Sequence, residues 1–461
     1  MLALVVDDVD RALDEEDGEV PARRLGRPPA PLDQLVDAAE DVVGHARSLL
    51  GVRPPSVDRL ARELADTGLP HPLLVDVARA AIAAGDVEGA RGMAESVAVA
   101  LLRPVINATG VLLHTNLGRA PLGVVPAVGY ANLELDLATG ARGSRHAHAA
   151  ALVARACGAD DAVVVNNGAA AVLLVLAALA AGRGVAVSRG ELVEIGGGFR
   201  VPEVLEQSGA RLVEVGTTNR TRVDDYVRVL DDVALLLKVH TSNYRITGFV
   251  ESTPVGALAG HGVPLVVDAG SGLLDAATPW LVDGPPSWLS GEPAVRQLLE
   301  AGADVVTCSG DKLFGGPQAG FIVGSSALVE RCRRHPLARA LRPGGLVLAA
   351  VQEVALSYLR RDGAAIPFWR MATAGIDELR RRAESLGVGE VVECESVPGG
   401  GSAPGVTIPS WGVAVDGDRT TALRAHEPPV IARVVDGRTV LDLRTVDPSE
   451  DAVVAAALAG G

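Results

Sequence analysis

Lysine is almost absent from this 461-residue sequence, which has 42 basic residues of which only Lys238 and Lys312 are lysines. Nearly all of the positive charge is therefore arginine. Acidic residues outnumber basic ones, and the formal net charge is −15 at pH 7. Proteins that coat nucleic acid non-specifically need clustered positive charge to displace counterions. The composition excludes that class but leaves local arginine patches open.

Cysteines and long apolar runs are also scarce. The four cysteines lie far apart without a C-x-x-C pair, so neither a disulfide framework nor a zinc site is indicated. They are Cys157, Cys308, Cys332 and Cys394. No stretch reaches the roughly 18 consecutive apolar residues that would span a bilayer. The N-terminus contains Asp7, Asp8 and Asp10 where a secretory signal has positive charge, so we expect a cytoplasmic enzyme.

The length allows two or three domains. Residues 1–52 join an acidic stretch to a basic, proline-bearing one and predict an extension of uncertain order. Residues 53–104 predict a small helical domain, which on the residues alone is a binding module or a dimerisation cap. Alternating strands and helices predict an α/β large domain at 105–345, followed by a smaller α+β domain at 346–461. Within the latter, Pro398–Gly401 reads as a flexible connector.

The predicted strands of the large domain are short β-branched runs, and a largely parallel sheet is expected from the helices between them. The strands are predicted at 163–165, 185–188, 211–215, 234–239, 265–267 and 305–308, with helices at 169–179 and 346–359. Open α/β sheets bind ligands at the carboxyl ends of their strands. Candidate functional residues are therefore sought just after these runs.

Lys312 follows the last predicted strand in the segment Ser309-Gly310-Asp311-Lys312 and precedes a glycine pair. A lysine at the end of a buried strand is placed to lose its proton and attack a carbonyl as a Schiff-base nucleophile. A surface lysine in a turn is the alternative interpretation. Ser309 places a hydroxyl near the amine.

Two more strand ends carry candidate cofactor ligands. Asp268 follows a buried apolar run, where a carboxylate is costly unless it faces a cation or a site. Asn167, Gly168 and Ala169 form a turn before a helix, where backbone N–H groups bind anions, although glycine turns also serve packing alone. The chain thus has, in order, a turn that suits an anion, an acid and a lysine. Pyridoxal phosphate requires these three groups for its phosphate, its ring nitrogen and its aldehyde.

Two further residues bear on this site. Lys238 lies inside a predicted strand and is the less favoured Schiff-base lysine. His240 comes at the carboxyl end of the same strand, where it flanks the cofactor or serves as a structural histidine.

Five longer segments, taken in order, resemble the bacterial selenocysteine synthases, the L-seryl-tRNA(Sec) selenium transferases. They are Asn107–Gly110 with His114–Arg119, Ser188–Gly197, Val215–Thr221, His240–Tyr244 and Ser309–Gly320. The resemblance covers roughly residue 53 to the C-terminus. It implies a fold-type I pyridoxal phosphate enzyme with an aspartate aminotransferase-like large domain, an N-terminal helical domain that grips tRNA, and a homo-oligomeric ring of dimers.

The resemblance also assigns residues. It implies that Lys312 holds the cofactor and that Asp311 and three arginines, Arg119, Arg339 and Arg342, belong to the catalytic centre. Two departures stand out. The family's three consecutive asparagines become Asn166-Asn167-Gly168, which a backbone phosphate site tolerates, and its Asp-Lys pair after the last arginine becomes Gly344-Gly345.

The activity implied by the resemblance is conversion of L-seryl-tRNA(Sec) to L-selenocysteinyl-tRNA(Sec) through a cofactor-bound aminoacrylyl intermediate, with selenophosphate as donor and no metal. The planar guanidinium groups of the arginines suit the anionic donor because they can bind a phosphate group with two hydrogen bonds. Two alternatives stay open. A related lyase acting on a small amino acid or amino sugar would not need tRNA, and a non-catalytic tRNA-binding scaffold would not need Lys312.

Overall fold

The computed structural model describes residues 55–123, 129–195, 199–242, 244 and 246–460. The predicted extension at 1–52 lies outside these residues. Within them the chain forms two compact units that meet in sequence between Val105 and Ile106. No helix in this described part is long and apolar enough to cross a membrane.

The first unit is a three-helix cluster, as its apolar spacing predicts. Its helices are α1 (Val57–Glu63), α2 (His71–Ala84) and α3 (Ala90–Ala100). The hydroxyl of Ser56 caps α1 by accepting the Arg59 N–H at 3.3 Å. Leucine, valine and alanine side chains of the three helices form one buried core, including Leu60, Leu64, Leu74, Val77, Ala81, Ala90 and Ala94.

A seven-stranded sheet organises the second unit, with spatial order β2-β10-β9-β8-β7-β3-β6. Only β10 runs antiparallel to its neighbours. The strands are β2 (Asp161–Val165), β3 (Gly184–Ser188), β6 (Arg211–Val215), β7 (Val233–Val239), β8 (Leu265–Gly270), β9 (Val305–Ser309) and β10 (Gly320–Gly324). Two residue pairs form short separate strands, β4 (Glu194–Ile195) and β5 (Phe199–Arg200), and β1 (Ile106–Asn107) pairs with a distant strand.

Helices cover both faces of this sheet. One face carries α4 (Ala149–Cys157) and the other α5 (Gly168–Ala180). Because α5 is apolar all round, it is buried rather than surface-lying. The remaining helices of this part are α6 (Val201–Gln207), α7 (Val223–Val227), α8 (Val255–Leu258), α9 (Val295–Glu300), α10 (Ser326–Arg334), α11 (Pro336–Ala340), α12 (Gly345–Arg360) and α13 (Pro367–Ala372).

A second, four-stranded antiparallel sheet closes the chain, in the order β11-β12-β15-β14. Its elements are α14 (Ile376–Leu386), β11 (Glu390–Ser396), β12 (Ile408–Asp416), α15 (Thr420–Arg424), β13 (Val430–Ile431), β14 (Arg433–Val435), β15 (Arg438–Asp442) and α16 (Asp451–Ala459). It has its own apolar core. The partner of β1 is β13, so residue 106 joins this part.

The predicted elements of the large sheet are present, with two informative differences. Strand β8 runs to Gly270, three residues beyond its predicted end, so Asp268 lies inside the strand. Helix α12, which falls in the smaller domain predicted at 346–461, packs on α4, and Val351 and Tyr358 join the core of the large sheet. The domain boundary at residue 345 stays a prediction.

Candidate active site

The carboxyl ends of β2, β7, β8 and β9 meet at one edge of the large sheet, because these strands run in the same direction. This edge brings together most of the predicted site residues. They are Asn167 after β2, His240 after β7, Asp268 near the end of β8, and Ser309 to Lys312 at the end of β9. The edge is therefore the candidate active site.

Lys312 lies in a tight loop and is buried, with 5% of its surface exposed. The loop closes through the Gly315 N–H, which donates to the Lys312 carbonyl at 2.8 Å, and the Gly316 N–H, which donates to the Gly310 carbonyl at 2.9 Å. The Leu313 N–H donates to the Ser271 carbonyl, which ties the loop to the end of β8. The backbone that carries the Lys312 side chain is thus fixed on both sides of the residue.

Burial lowers the pKa of the Lys312 amine, and the positive charge of Arg119 acts in the same direction. The carboxylates of Asp268, Asp311 and Glu292 oppose the shift without cancelling it. A desolvated amine is neutral in a larger fraction of molecules than a free lysine at the same pH, so it is a better nucleophile and base.

Asp268 is buried opposite Thr307, its register partner on β9. The Thr307 hydroxyl donates to Asp268 Oδ1 at 2.9 Å. The strand has a register shift between Asp268 and Gly270, and such bulges re-aim side chains near active sites. Burial raises the pKa of the Asp268 carboxyl, while Thr307 and the Lys312 charge moderate the rise. A cation placed against this carboxylate would be strongly stabilised.

The turn after β2 forms the start of α5, and Asn167 is its N-cap: its Oδ1 accepts the Ala170 N–H at 2.8 Å. The N–H groups of Gly168 and Ala169 belong to the first turn, where the helix supplies no acceptor. A Cβ on Gly168 would lie 2.7 Å from the Ser309 hydroxyl, so glycine keeps the turn open beside β9. This geometry suits an anion.

Arg119 and Asp311 form an ion pair, with Nη1 of the arginine 2.9 Å from Oδ2 of the aspartate. The Ala120 N–H also donates to the Asp311 carbonyl at 3.2 Å. Arg119 has φ of 63°, an unusual backbone for a non-glycine residue, and its side chain is 33% exposed. The structure thus places an arginine fork beside the residue that precedes Lys312.

His240 reaches Asp268 through its backbone, since its N–H donates to the Asp268 carbonyl at 2.9 Å. Its Nε2 lies 3.6 Å from Oε1 of Glu292, which is too long for a hydrogen bond. Burial acts to raise the pKa of Glu292, but interactions with His240, Ser271 and the Ala403 N–H outweigh it and lower the pKa. Glu292 is therefore a buried carboxylate at this site.

Lys238 is occupied by another partner. Its amine lies 2.5 Å from Glu191 Oε1, and the second oxygen of Glu191 accepts the Val239 N–H at 2.9 Å. Its register partner on β8 is Val267, so Lys238 and Asp268 occupy positions of opposite parity and project from opposite faces of the sheet. This arrangement favours Lys312 as the reactive amine.

The other two predicted arginines follow a different pattern from Arg119, although the Asn166 N–H donates to the Leu341 carbonyl at 2.9 Å and so brings this segment beside the Asn167 turn. Arg339 is exposed on α11, and Arg342 lies 3.5 Å from Glu134. Within the described residues, neither makes a hydrogen bond or ion pair with Lys312 or Asp311. Their part in the site stays a prediction.

Comparison with known proteins decides the family. The family model of L-seryl-tRNA selenium transferase (SelA) matches residues 105–447. The chain belongs to this family. The L-seryl-tRNA(Sec) selenium transferase of Moorella thermoacetica is 48% identical over 389 residues, which cover 77% of this chain and 81% of that protein. The protein of the same name from Geobacter metallireducens is 43% identical over 452 residues, which cover 89% and 94%. The resemblance inferred from the motifs is confirmed.

Among solved structures, D-glucosaminate-6-phosphate ammonia-lyase matches with a TM-score of 0.53 at 21% identity, covering 79% of this chain and 96% of that one. This likeness concerns the fold alone, and it agrees with the predicted fold class. The family match also supports the predicted cofactor, pyridoxal phosphate. The residues at the sheet edge fit that cofactor, because an amine, a buried carboxylate and an open helix N-terminus are what its aldehyde, ring nitrogen and phosphate need.

Three contributors escaped prediction from the sequence. Thr307 sits mid-strand, where a hydroxyl beside the acid of the next strand is a weak signal. Glu292 lies in a loop without a recognisable motif. Gly401, which belongs to the predicted flexible connector, lies against the Lys312 amine. No group of side chains in the described residues has the arrangement of a metal site.

Proposed function

We propose that this protein converts L-seryl-tRNA(Sec) to L-selenocysteinyl-tRNA(Sec), with pyridoxal phosphate on Lys312 and selenophosphate as the selenium donor. The observation that carries the proposal is the buried Lys312 amine at the edge shared by Asp268 and the Asn167 turn. The family match supports the reaction. We extend the proposal to a cytoplasmic homo-oligomer, a ring of dimers.

Pyridoxal phosphate, when bound, supplies an aldehyde that takes up amino groups and a ring that accepts electrons from the substrate α-carbon. Lys312 would hold the aldehyde, Asp268 would pair with the ring nitrogen, and the N–H groups of Gly168 and Ala169 would bind the phosphate. The Thr307 hydroxyl fixes the direction of the Asp268 carboxylate.

The residues of this chain then divide the work of the reaction. With cofactor and substrate bound, the Lys312 amine would take the α-proton of the serine, because burial and Arg119 favour its neutral form. Loss of the serine hydroxyl as water leaves an acceptor for selenium. Arg119, fixed by Asp311 and partly exposed, is placed to bind the anionic donor bidentately.

We propose the helical unit at 55–105 as the part that binds tRNA. Its surface arginines are paired with acids: Arg59 with Glu63, Arg62 with Asp58, and Arg91 with Asp66. Exposed pairs of this kind contribute little to stability because water screens the charges, so phosphate groups can replace the carboxylates at little cost.

The test combines cofactor mapping with turnover on one sample. Full-length protein is reduced with borohydride in the presence of pyridoxal phosphate, digested and mapped, and selenium incorporation into seryl-tRNA from selenophosphate is measured in parallel. We expect label at Lys312 alone. Lys312→Met should abolish both label and turnover, whereas Lys238→Arg, which keeps the pair with Glu191, should preserve both.

The alternatives give different results in the same assay. A lyase would turn over small serine-like substrates without tRNA, and a scaffold would take up no label. Label at Lys238, or turnover that does not depend on tRNA, would refute the proposal.

A further inference from the structure

The segment Gly399–Ala403 lies at the Lys312 site, although its glycines favour a flexible connector. Its neighbours are fixed parts of the unit. A Cβ on Gly399 would lie 2.7 Å from the Leu113 carbonyl oxygen, and one on Gly400 would lie 3.4 Å from a Thr115 methyl group. Gly401, Ser402 and Ala403 are all buried. The segment is therefore packed against the site.

Gly401 makes the contact that matters most. A Cβ built on it would lie 2.6 Å from Lys312 Nζ and 2.9 Å from Cε, closer than real Cβ atoms approach other groups. Gly401 also has φ of +80°, which side chains rarely adopt. Only glycine both permits this backbone and leaves the amine its place.

Glu292 holds the other end of the segment. Its Oε2 accepts the Ala403 N–H at 3.2 Å, while Oε1 faces His240. Ala403 has φ of +44°, an unfavourable backbone that surrounding contacts must maintain. The same carboxylate thus touches the segment and the histidine that follows β7.

We propose that Gly399–Ala403 is a fixed wall of the Lys312 site, with Gly401 as a positioning residue for the amine and Glu292 as the anchor of the wall. The segment excludes water from the amine on this side, so the wall contributes to its burial. The inference rests on the proposed function only in taking Lys312 as the cofactor lysine.

The chain provides a matched control for Gly401. Gly405 has a similar φ of +72°, but a Cβ there would have no atom within 4 Å. Gly401→Ala and Gly405→Ala therefore carry similar backbone strain, and only the first meets Lys312. The full-length apoprotein of each is titrated with pyridoxal phosphate, trapped with borohydride and quantified at the Lys312 peptide.

We expect the half-saturating concentration of pyridoxal phosphate to rise at least tenfold in Gly401→Ala and to stay within twofold of wild type in Gly405→Ala. The two variants should have similar melting temperatures. Equal titrations for the two variants would overturn the assignment of Gly401.

A second measurement needs neither cofactor nor tRNA and serves also if Gly401→Ala does not fold. Glu292→Gln keeps the side-chain shape but weakens the acceptor of the Ala403 N–H. We expect hydrogen exchange of the peptide covering 399–405 to be slow in wild-type apoprotein and at least tenfold faster in this variant. If the 399–405 peptide of the wild-type protein exchanged as fast as the exposed turn at Asp436 and Gly437, the proposal of a fixed wall would be wrong. Both readouts are independent of selenium transfer, so failure of the proposed function would leave them interpretable.

Discussion

Replacing Tyr358 by phenylalanine removes one oxygen atom from beneath the Lys312 loop. The buried hydroxyl of Tyr358 donates toward the Phe314 carbonyl at 2.8 Å and the Leu313 carbonyl at 3.2 Å, and accepts the Trp369 Nε1–H at 2.7 Å. Burial raises the pKa of this hydroxyl, so it stays protonated and remains a donor. The two residues that follow Lys312 are thus tied to α12 and α13.

The cost follows from what the substitution leaves behind. The phenylalanine ring keeps the contacts with Trp280 and Phe314, whose ring centroids lie 4.5 and 5.4 Å away. The Trp369 N–H and the Phe314 carbonyl, however, lose their partner inside the core. Each buried unsatisfied group costs about 1–3 kcal/mol, so for two groups we expect a loss of about 2–6 kcal/mol in the free energy of unfolding.

Tyr226→Phe is the matched control. Tyr226 is as deeply buried as Tyr358, but its hydroxyl makes no hydrogen bond of good geometry with any described residue. Because burying an unpaired hydroxyl is itself unfavourable, its removal should leave the free energy of unfolding unchanged or increase it. Any decrease should not exceed about 0.5 kcal/mol.

Urea unfolding followed by circular dichroism measures both variants. The chain has two compact units, so the comparison uses the transition of the larger unit and requires equal slopes. Tyr358→Phe should unfold at clearly lower urea than Tyr226→Phe. Coincident transitions would show that the hydroxyl does not hold the Lys312 loop.

Three further predictions concern the charged groups of the site. Burial lowers the pKa of Lys312 below its value of 10.5 in an unfolded chain, so the unfolded state binds the proton more tightly. The stability of wild-type apoprotein relative to Lys312→Met should therefore rise as the pH increases towards 10.5. A stability difference that stays constant between neutral and alkaline pH would contradict this. Asp268→Asn keeps an acceptor for Thr307 but loses the charge, and should reduce turnover by about 10²–10³-fold while borohydride label at Lys312 persists; unchanged single-turnover rates would contradict the role of the acid. Arg119→Ala should raise KM for selenophosphate by at least tenfold and leave Asp311 without its partner, whereas an effect on protein stability alone would make Arg119 purely structural.

The sequence predicted the six parallel strands of the large sheet because buried parallel strands are continuous β-branched runs, and the carboxyl ends of those runs carried Asn167, Asp268 and Lys312. It did not predict the antiparallel strand β10. It placed the end of β8 too early because Asp268, Ala269 and Gly270 are poor strand formers, and pairing with β9 extends the strand past them.

What the sequence could not supply depends on contacts between distant segments. Thr307 meets Asp268 through strand register, and Glu292 meets Ala403 across more than a hundred residues of chain. The glycines at 399–401 read as flexible because glycine favours no single backbone conformation. In the folded chain the same freedom lets the backbone approach Leu113 and Lys312 closely.

Strand β10, the only antiparallel strand of the large sheet, lies between the strand that precedes the Asn167 turn and the strand that precedes Lys312. A Cβ on its first residue, Gly320, would overlap the Asn167 carbonyl, so no other residue allows this spacing. The width of this inserted strand thus contributes, together with the loop after β9, to the spacing between the Asn167 turn and Lys312. A change that altered the pairing of β10 would therefore shift the Asn167 turn relative to the Lys312 loop.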